Sequence, residues 1–201
     1  MMLSQFPSGQ QLRDFFQQCL QQADWPEQAA PHFDGGLWRF IEQNHCFNTI
    51  LWRQEDLARR TNAPAEEIVL NKRTIDRHNQ LRNDSIEQID RLILEQLADV
   101  PLQPQAWHNS ETAGAIIDRL SILSLKVYHM GLQLERDDVT DEHRVLCRDK
   151  QAQLLQQQQD LERCLDHLLQ SCAAGQAFFK IYRQHKMYND PRMNPLIHAV
   201  G

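Results

Sequence analysis

Polar side chains suited to acid–base or binding chemistry recur on three predicted helices, each time beside an apolar stripe. On the longest helix, at about 100° per residue, one stripe is formed by Lys72, Asp76, Asn79, Asn83, Glu87 and Asp90. Asn79 and Arg82 interrupt the neighbouring apolar stripe between Ile75 and Ile86. A polar group buried without a partner costs about 1 to 3 kcal/mol, so this pattern predicts a polar site.

The helices before and after this one repeat the arrangement. On the preceding helix, one side is shared by Trp52 and by His45, Asn48, Glu55, Asp56 and Arg59. On the following helix, which is otherwise apolar, four polar residues fall within about 20° of one another: Glu111, Asp118, His129 and Arg136. We therefore expect the three polar bands to line one cavity inside a helical bundle.

Carboxylates gathered in a bundle can hold Mg²⁺ or Mn²⁺ as a cofactor, and nearby Arg and Lys side chains can bind phosphate. That combination suits metal-assisted hydrolysis of a phosphoester or pyrophosphate, with an anionic small molecule such as a phosphorylated sugar or nucleotide as ligand. The residues predicted to hold metal or move protons are His45, Asp56, Asp76 and Asp118. The residues predicted to contact the ligand are Asn48, Arg59, Lys72, Arg73, Asn79, Arg82, Asn83 and Arg119.

The same residues also fit a structural interpretation. Buried polar groups can form networks of hydrogen bonds and ion pairs that fix the register of packed helices. The alternative function is therefore a non-catalytic adaptor or assembly protein, with helices paired within the chain or across a homo-oligomer. A cavity near Asn79 and Arg82 would favour the ligand-binding function. Carboxylates that are each paired with Arg or Lys would favour the adaptor.

Other catalytic motifs are poorly supported. Glu42 and His45 have the Glu-x-x-His spacing of di-iron bundles, but such bundles need a second pair on another helix. The five cysteines lack the spacing of zinc ligands. Ser121 and Ser124 lie in the middle of a helix, where a hydroxyl commonly bonds back to the preceding turn. The sequence thus offers no good nucleophile.

Most of the seven glycines and eight prolines stand where helical periodicity stops, which predicts an all-α protein. Long helices are expected over about residues 10–23, 37–60, 64–98, 110–136 and 140–172, with Ser110 and Thr140 as N-caps of the last two. The fourth helix is apolar nearly all round and should be central. A short helix over residues 178–182 and an extended tail follow Gly175. The simplest architecture is one antiparallel bundle, a single domain over residues 1–201.

Composition limits the classes of partner. The net charge of -6 and the pI near 5.8 do not indicate the basic surface that binds nucleic acid. No stretch reaches the roughly 18 apolar residues of a membrane span, and no signal peptide is recognisable. An odd number of cysteines without a regular framework indicates a reducing compartment. We expect a cytoplasmic protein.

Four motifs follow one another along the chain: His45-x2-Asn48-x3-Trp52-x2-Glu55-Asp56, Lys72-Arg73-x-Ile75-Asp76-x2-Asn79-Gln80-x-Arg82-Asn83-Asp84, Ile116-Ile117-Asp118-Arg119-Leu120-Ser121-Ile122-Leu123 and Lys186-Met187-Tyr188-Asn189-Asp190-Pro191. Together they resemble a bacterial family of helical proteins catalogued only as a domain of unknown function. The resemblance spans about residues 36–197 and implies a cytoplasmic helical protein without an established activity. It also implies a surface-polysaccharide context, which favours a sugar or sugar-nucleotide ligand.

Overall fold

The computed structural model describes residues 6–26, 31–182 and 192–193. Within that part of the chain, five α-helices account for nearly all regular structure: α1 (Gly9–Gln21), α2 (Gly36–Ala58), α3 (Ala65–Gln96), α4 (Ala113–Leu134) and α5 (Asp141–Ala173). Two short strands are also present, β1 (Trp107–His108) and β2 (Ala177–Phe178). The predicted all-α helical bundle is confirmed.

Local sequence signals explain where several helices begin. Ser8 and Gln11 form a capping box at the start of α1, with the Ser8 hydroxyl accepting from the Gln11 backbone N–H at 3.2 Å. Thr112 and Thr140 cap α4 and α5, each accepting from the backbone N–H three residues on. The cap of α5 is the predicted one. The prediction of Ser110 for α4 is wrong, because the extended backbone that a cap requires lies at Thr112.

Helix α4 is central, as its sequence predicts, and packs against each of the other four helices. Contacts between α2 and α4 progress from Asn44–Asp118 to Trp52–His129, so these two helices run parallel. Short connections at residues 59–64 and 135–140 make α2–α3 and α4–α5 helical hairpins. The largest fully buried apolar side chains include Leu12, Phe16, Ile41, Ile75, Ile89, Ile93, Ile117, Leu120 and Leu165.

The segment after Gly175 is a strand and not the predicted short helix. Gly175 has φ +69°, and a Cβ there would stand 2.2 Å from the Pro101 carbonyl oxygen. The chain then runs beside β1, and the Asn109 backbone N–H donates to the Phe178 carbonyl at 2.8 Å. The loop before α4 has backbone groups that need partners, and pairing with this segment satisfies them. Periodicity within residues 178–182 could not reveal that partner.

Among the described helices, none is long and apolar enough to cross a membrane. The predicted tail lies outside the described residues apart from Arg192 and Met193, and this includes the motif residues Lys186, Tyr188, Asn189 and Asp190.

Candidate functional site

A buried polar cluster lies where α2, α3 and α4 meet. Its members are Asn44, His45, Asn48, Ser85, Asp118 and Ser121, and none is more than 8% exposed. Residues three or four apart lie above one another on a helix face. Asn44 and Asn48 therefore share one face of α2, opposite Asp118 and Ser121 on α4. Ser85 reaches the cluster from α3.

Asp118 is the main acceptor of this cluster. Its Oδ1 accepts hydrogen bonds from the side-chain amides of Asn44 and Asn48, both at 2.9 Å. The Asn48 amide also donates to Ser121 Oγ at 3.0 Å, and Asn44 donates to Ser85 Oγ at 3.4 Å. Bonds to a buried carboxylate are stronger than bonds between neutral groups. The cluster thereby holds three helices in one register.

His45 is enclosed by this cluster and by aromatic rings. Its Nδ1 lies 2.8 Å from Ser121 Oγ, and the imidazole stacks on Phe16 and Trp25 with centroid distances of 4.5 and 5.6 Å. Burial lowers the pKa of His45 to about 3, with a smaller opposing effect from the Phe16 backbone. The ring is neutral at pH 7 and has no exposed surface. A ligand in a neighbouring cavity therefore cannot contact it without a rearrangement of the core.

A cavity of about 400 Å³ opens beside the cluster, and we name it the Arg82 cavity. It is lined by Asn48, Leu51, Trp52, Glu55, Asp56, Arg59, Arg82, Ile122 and Leu125. Asn48 belongs to both the cluster and the cavity wall. The exposed Arg59 side chain lies at this cavity with its guanidinium 3.1 Å from Glu55 and 3.8 Å from Asp56. Both cations of the cavity are therefore arginines.

Arg82 lines this cavity, and no described residue accepts a hydrogen bond from its Nε. Its side chain is 27% exposed and its Nε is buried without a hydrogen bond. The nearest carboxylate oxygen in the described part of the chain is Asp118 Oδ1 at 3.9 Å, beyond hydrogen-bond distance. That oxygen already accepts from two amides. Among the described residues, the guanidinium thus has an acidic neighbour that does not accept a hydrogen bond from its Nε.

Part of the predicted site is brought together by the fold. His45, Asn48 and Asp118 lie in the buried cluster. Asp56, Arg59, Arg82 and again Asn48 line the adjoining cavity.

The other predicted site residues lie elsewhere. Lys72 and Asp76 pair at 3.7 Å on the exposed face of α3, at least about 9 Å along the helix axis from Arg82. On the same helix Arg73 is exposed and Asn79 is half-buried, and Asn83 lines a separate cavity near the start of α4. Arg119 points outward and binds both carboxylate oxygens of Glu111 at 2.9 Å.

Sequence reasoning missed three members of the cluster. Asn44 precedes Asn48 by one turn, which is a signal that the pattern contained. Ser121 was expected to bond back to its own helix but instead accepts from Asn48 and contacts His45. Ser124 does bond back as expected, to the Leu120 carbonyl at 3.0 Å. Identical residues one turn apart thus behave differently because only one of them faces α2.

The described side chains do not fit a Mg²⁺ or Mn²⁺ site. Among them, no three His, Cys, Asp or Glu residues are grouped closely enough to hold an ion. Glu42, the first residue of the Glu-x-x-His pair, contacts His32 Nδ1 at 2.6 Å, whereas His45 faces Ser121. Metal-assisted hydrolysis therefore draws no support from this arrangement.

One family model, described as "Protein of unknown function (DUF4254)", matches residues 38–181 of the 201-residue chain. No curated protein and no solved structure matches the sequence. The matched range contains α3, α4, α5 and nearly all of α2, and hence every residue of the buried cluster and of the Arg82 cavity. This match covers well over half of the chain. The protein therefore belongs to the DUF4254 family of proteins of unknown function, in agreement with the resemblance carried by its motifs.

Proposed function

We propose that the protein binds an anionic small molecule in the Arg82 cavity. The observation that carries this proposal is the half-buried Arg82 guanidinium at the cavity wall, whose Nε has no hydrogen-bond acceptor among the described residues. A guanidinium presents five N–H donors in one plane, a geometry that matches the oxygens of phosphate or carboxylate. A phosphorylated sugar or nucleotide is the ligand class that this chemistry favours.

The surroundings of Arg82 support the same proposal. The volume of about 400 Å³ lies in the range of small-molecule sites, roughly 300 to 1,000 Å³. Arg59 supplies a second cation that can exchange its exposed pairing with Glu55 for an incoming anion. Trp52 and Leu51 line the cavity with apolar surface, against which the uncharged part of a ligand can pack. The cavity therefore combines charged groups with surface against which a ring can pack.

The carboxylates predicted for catalysis do not come together, so the function we propose is binding. The carboxylates predicted to serve hydrolysis are separated in the fold: Asp118 is buried under two amides, Asp76 is exposed on α3, and Asp56 lies at the cavity. No two of them share a site in which one could hold an ion while another moved a proton. A reaction would need groups beyond these three.

The experiment is a binding titration with glucose 1-phosphate, adenosine diphosphate and a nucleotide sugar, followed by thermal shift and calorimetry. A ligand at 100 times its dissociation constant adds about 2.7 kcal/mol to stability. We expect at least one probe to stabilise the wild type and to lose this effect in Arg82→Gln. The matched control is Arg91→Gln, which removes an exposed charge from the same helix, where Arg91 pairs with Glu95. Equal binding by the Arg82 variant, or a wild type that responds to none of the probes, would contradict the proposal.

The second candidate function is the non-catalytic adaptor. Asn44 and Asn48 both donate hydrogen bonds to Asp118. These bonds favour the adaptor function, because a buried hydrogen-bond network fixes helix pairing without any ligand. The two functions differ in what Arg82→Gln should do. For an adaptor the substitution changes neither small-molecule binding nor thermal shift, and the important surface lies outside the cavity.

A further inference from the structure

A second cavity of about 490 Å³ adjoins the Arg82 cavity between α2, α4 and α5, and we name it the Lys126 cavity. It is lined by Trp52, Asp56, Lys126, His129, Met130, Gln133, Lys150, Gln153, Leu154 and Gln157. Trp52 and Asp56 line both cavities. The two spaces therefore adjoin each other at these two residues.

The charge around the two cavities is opposite in sign to that of the whole chain. Their lining contains four cations, Arg59, Arg82, Lys126 and Lys150, and two carboxylates, Glu55 and Asp56. This leaves a local balance of +2 in a chain of net charge -6. In the described part of the chain neither lysine has a carboxylate within ion-pair distance. A cavity lined by lysines attracts anionic groups.

Trp52 stacks on a neighbouring imidazole at the junction of the cavities. Its indole stacks on His129 with a centroid distance of 4.5 Å and an interplanar angle of 5°. Burial lowers the pKa of His129, so this imidazole is neutral at pH 7 and adds no charge to the Lys126 cavity. A ring fixed in this way offers a flat apolar surface to a sugar or a base.

The spacing along α4 gives the size of the combined site. Asp118 on α4 lies 3.9 Å from Arg82, so its position along α4 gives that of the Arg82 guanidinium. Lys126 lies eight residues after Asp118 on α4. At 1.5 Å per residue, the two cationic regions are about 12 Å apart along the axis. The long Arg and Lys side chains can shorten this distance by several ångströms at the ligand. That span fits one ring with a substituent at each end.

We propose that the two cavities form one elongated site for a ring-bearing ligand with two anionic groups, and this inference rests on the binding function proposed above. One anionic group contacts Arg82 and Arg59. The ring packs against Trp52, and the second anionic group contacts Lys126 and Lys150. The shared lining residues, the stacked indole and the two cationic regions supply the geometry for this arrangement.

The test compares glucose 1,6-bisphosphate with glucose 1-phosphate and glucose 6-phosphate as calorimetric probes. The bisphosphate should bind the wild type more tightly than either monophosphate. In the double variant Lys126→Gln/Lys150→Gln, bisphosphate affinity should fall about tenfold, since two exposed ion pairs are lost, while monophosphate affinity stays unchanged. Arg82→Gln should weaken all three. The double variant Arg91→Gln/Lys180→Gln removes the same charge outside both cavities and should bind like the wild type.

Indole fluorescence gives a second measurement that locates the ring. Bisphosphate binding should change the emission of the wild type, and Trp52→Phe should remove most of that change at a bisphosphate concentration that saturates the variant by calorimetry. The inference is overturned if the bisphosphate binds no better than the monophosphates, or if the lysine variant weakens all probes equally. When the monophosphates still bind through Arg82, only the elongated site has failed. If no probe binds the wild type, the proposed function fails and this inference with it.

Discussion

The buried cluster and the Arg82 cavity adjoin each other, but they differ in whether their polar side chains are hydrogen-bonded to other residues of the bundle. In the cluster, Asp118 Oδ1 accepts hydrogen bonds from the side-chain amides of Asn44 and Asn48. Ser121 Oγ accepts another hydrogen bond from the Asn48 amide. At the cavity, Arg82 stands 3.9 Å from the same carboxylate without a hydrogen bond to it. Groups that satisfy one another contribute to stability, whereas a partly exposed cation at the wall of a cavity can contact a ligand.

The sequence pattern is the same for a stabilising role and for a binding role, and only the hydrogen bonds distinguish the two roles. Polar residues beside an apolar stripe occur in both regions, and Asn48 belongs to both. What distinguishes them is whether the partner is another side chain of the bundle. Substitutions should therefore change stability in the cluster and ligand binding at the cavity.

The largest effect is expected for Asp118→Ala. It removes the acceptor that the buried Asn44 and Asn48 amides share, at about 1 to 3 kcal/mol for each lost hydrogen bond, so the free energy of unfolding should fall by about 4 kcal/mol. Urea denaturation measures this loss. The control is Asp118→Asn, which keeps an acceptor oxygen and should lose less. Equal stability of the alanine variant and the wild type would show that the cluster is not the stabilising region.

A pH dependence is expected from His45. Its folded pKa of about 3 lies below the ordinary value of 6.5, so between these values the unfolded chain binds the proton and the folded protein does not. Stability should therefore fall as the pH is lowered from 6.5 toward 3, by up to about 1.4 kcal/mol per pH unit from this group. Denaturation midpoints of the wild type and of His45→Gln from pH 7 to pH 4 measure it. The slope should be shallower in the variant, and parallel curves would contradict the prediction.

Asp90 should show a dependence of the opposite sign. This carboxyl accepts from the Gly114 backbone N–H, yet burial raises its pKa to about 6, which outweighs the hydrogen bonds. The folded protein holds the proton more tightly, so the contribution of Asp90 to stability declines as the pH rises from about 4 to 6. Asp90→Asn lacks this titration and should gain about 2 to 3 kcal/mol relative to the wild type across that window. A constant difference between the two proteins would contradict the prediction.

The smallest effect on stability is expected for Arg82→Gln. The Arg82–Asp118 pair is long and partly exposed, so the free energy of unfolding without ligand should change by less than about 1 kcal/mol. Chemical denaturation of the ligand-free variant beside Asp118→Ala measures the contrast directly. A loss as large as that of the Asp118 variant would place Arg82 in the structural network and not at a binding site.

Much of the helical framework was predictable because its causes are local. The cap at Thr140, the long helix that became α3, and the central position of the apolar α4 all follow from residues near in sequence. The predicted helix after Gly175 failed because its partner, the loop before α4, is about 70 residues away. Thr112 replaced Ser110 as a cap for a similar reason, since Asp90 and Gly114 position the start of α4.

The candidate site was predictable only in part. Periodicity placed Asn48, Asp118 and Arg82 beside the core, and the structure finds them together. The same periodicity selected Lys72, Asp76 and Arg119, which lie on exposed faces and pair with neighbours on their own helices or nearby. A helical wheel shows which side a residue occupies but not what covers it. Arg119 and Asp118 adjoin in the chain, and only packing against α2 and α3 makes one buried and the other exposed.

The sequence by itself determined the helical class, the extents of the main helices, the family and the presence of polar groups at the edge of the core, because these depend on residue type and spacing. Only the tertiary structure decided which of those groups are bonded to one another. Whether Ser121 faces its own helix or α2, and whether Arg82 finds an acceptor, depends on how three helices cross. Hydrogen bonds act over about 3 Å, so they are fixed by the final packing and not by any local pattern.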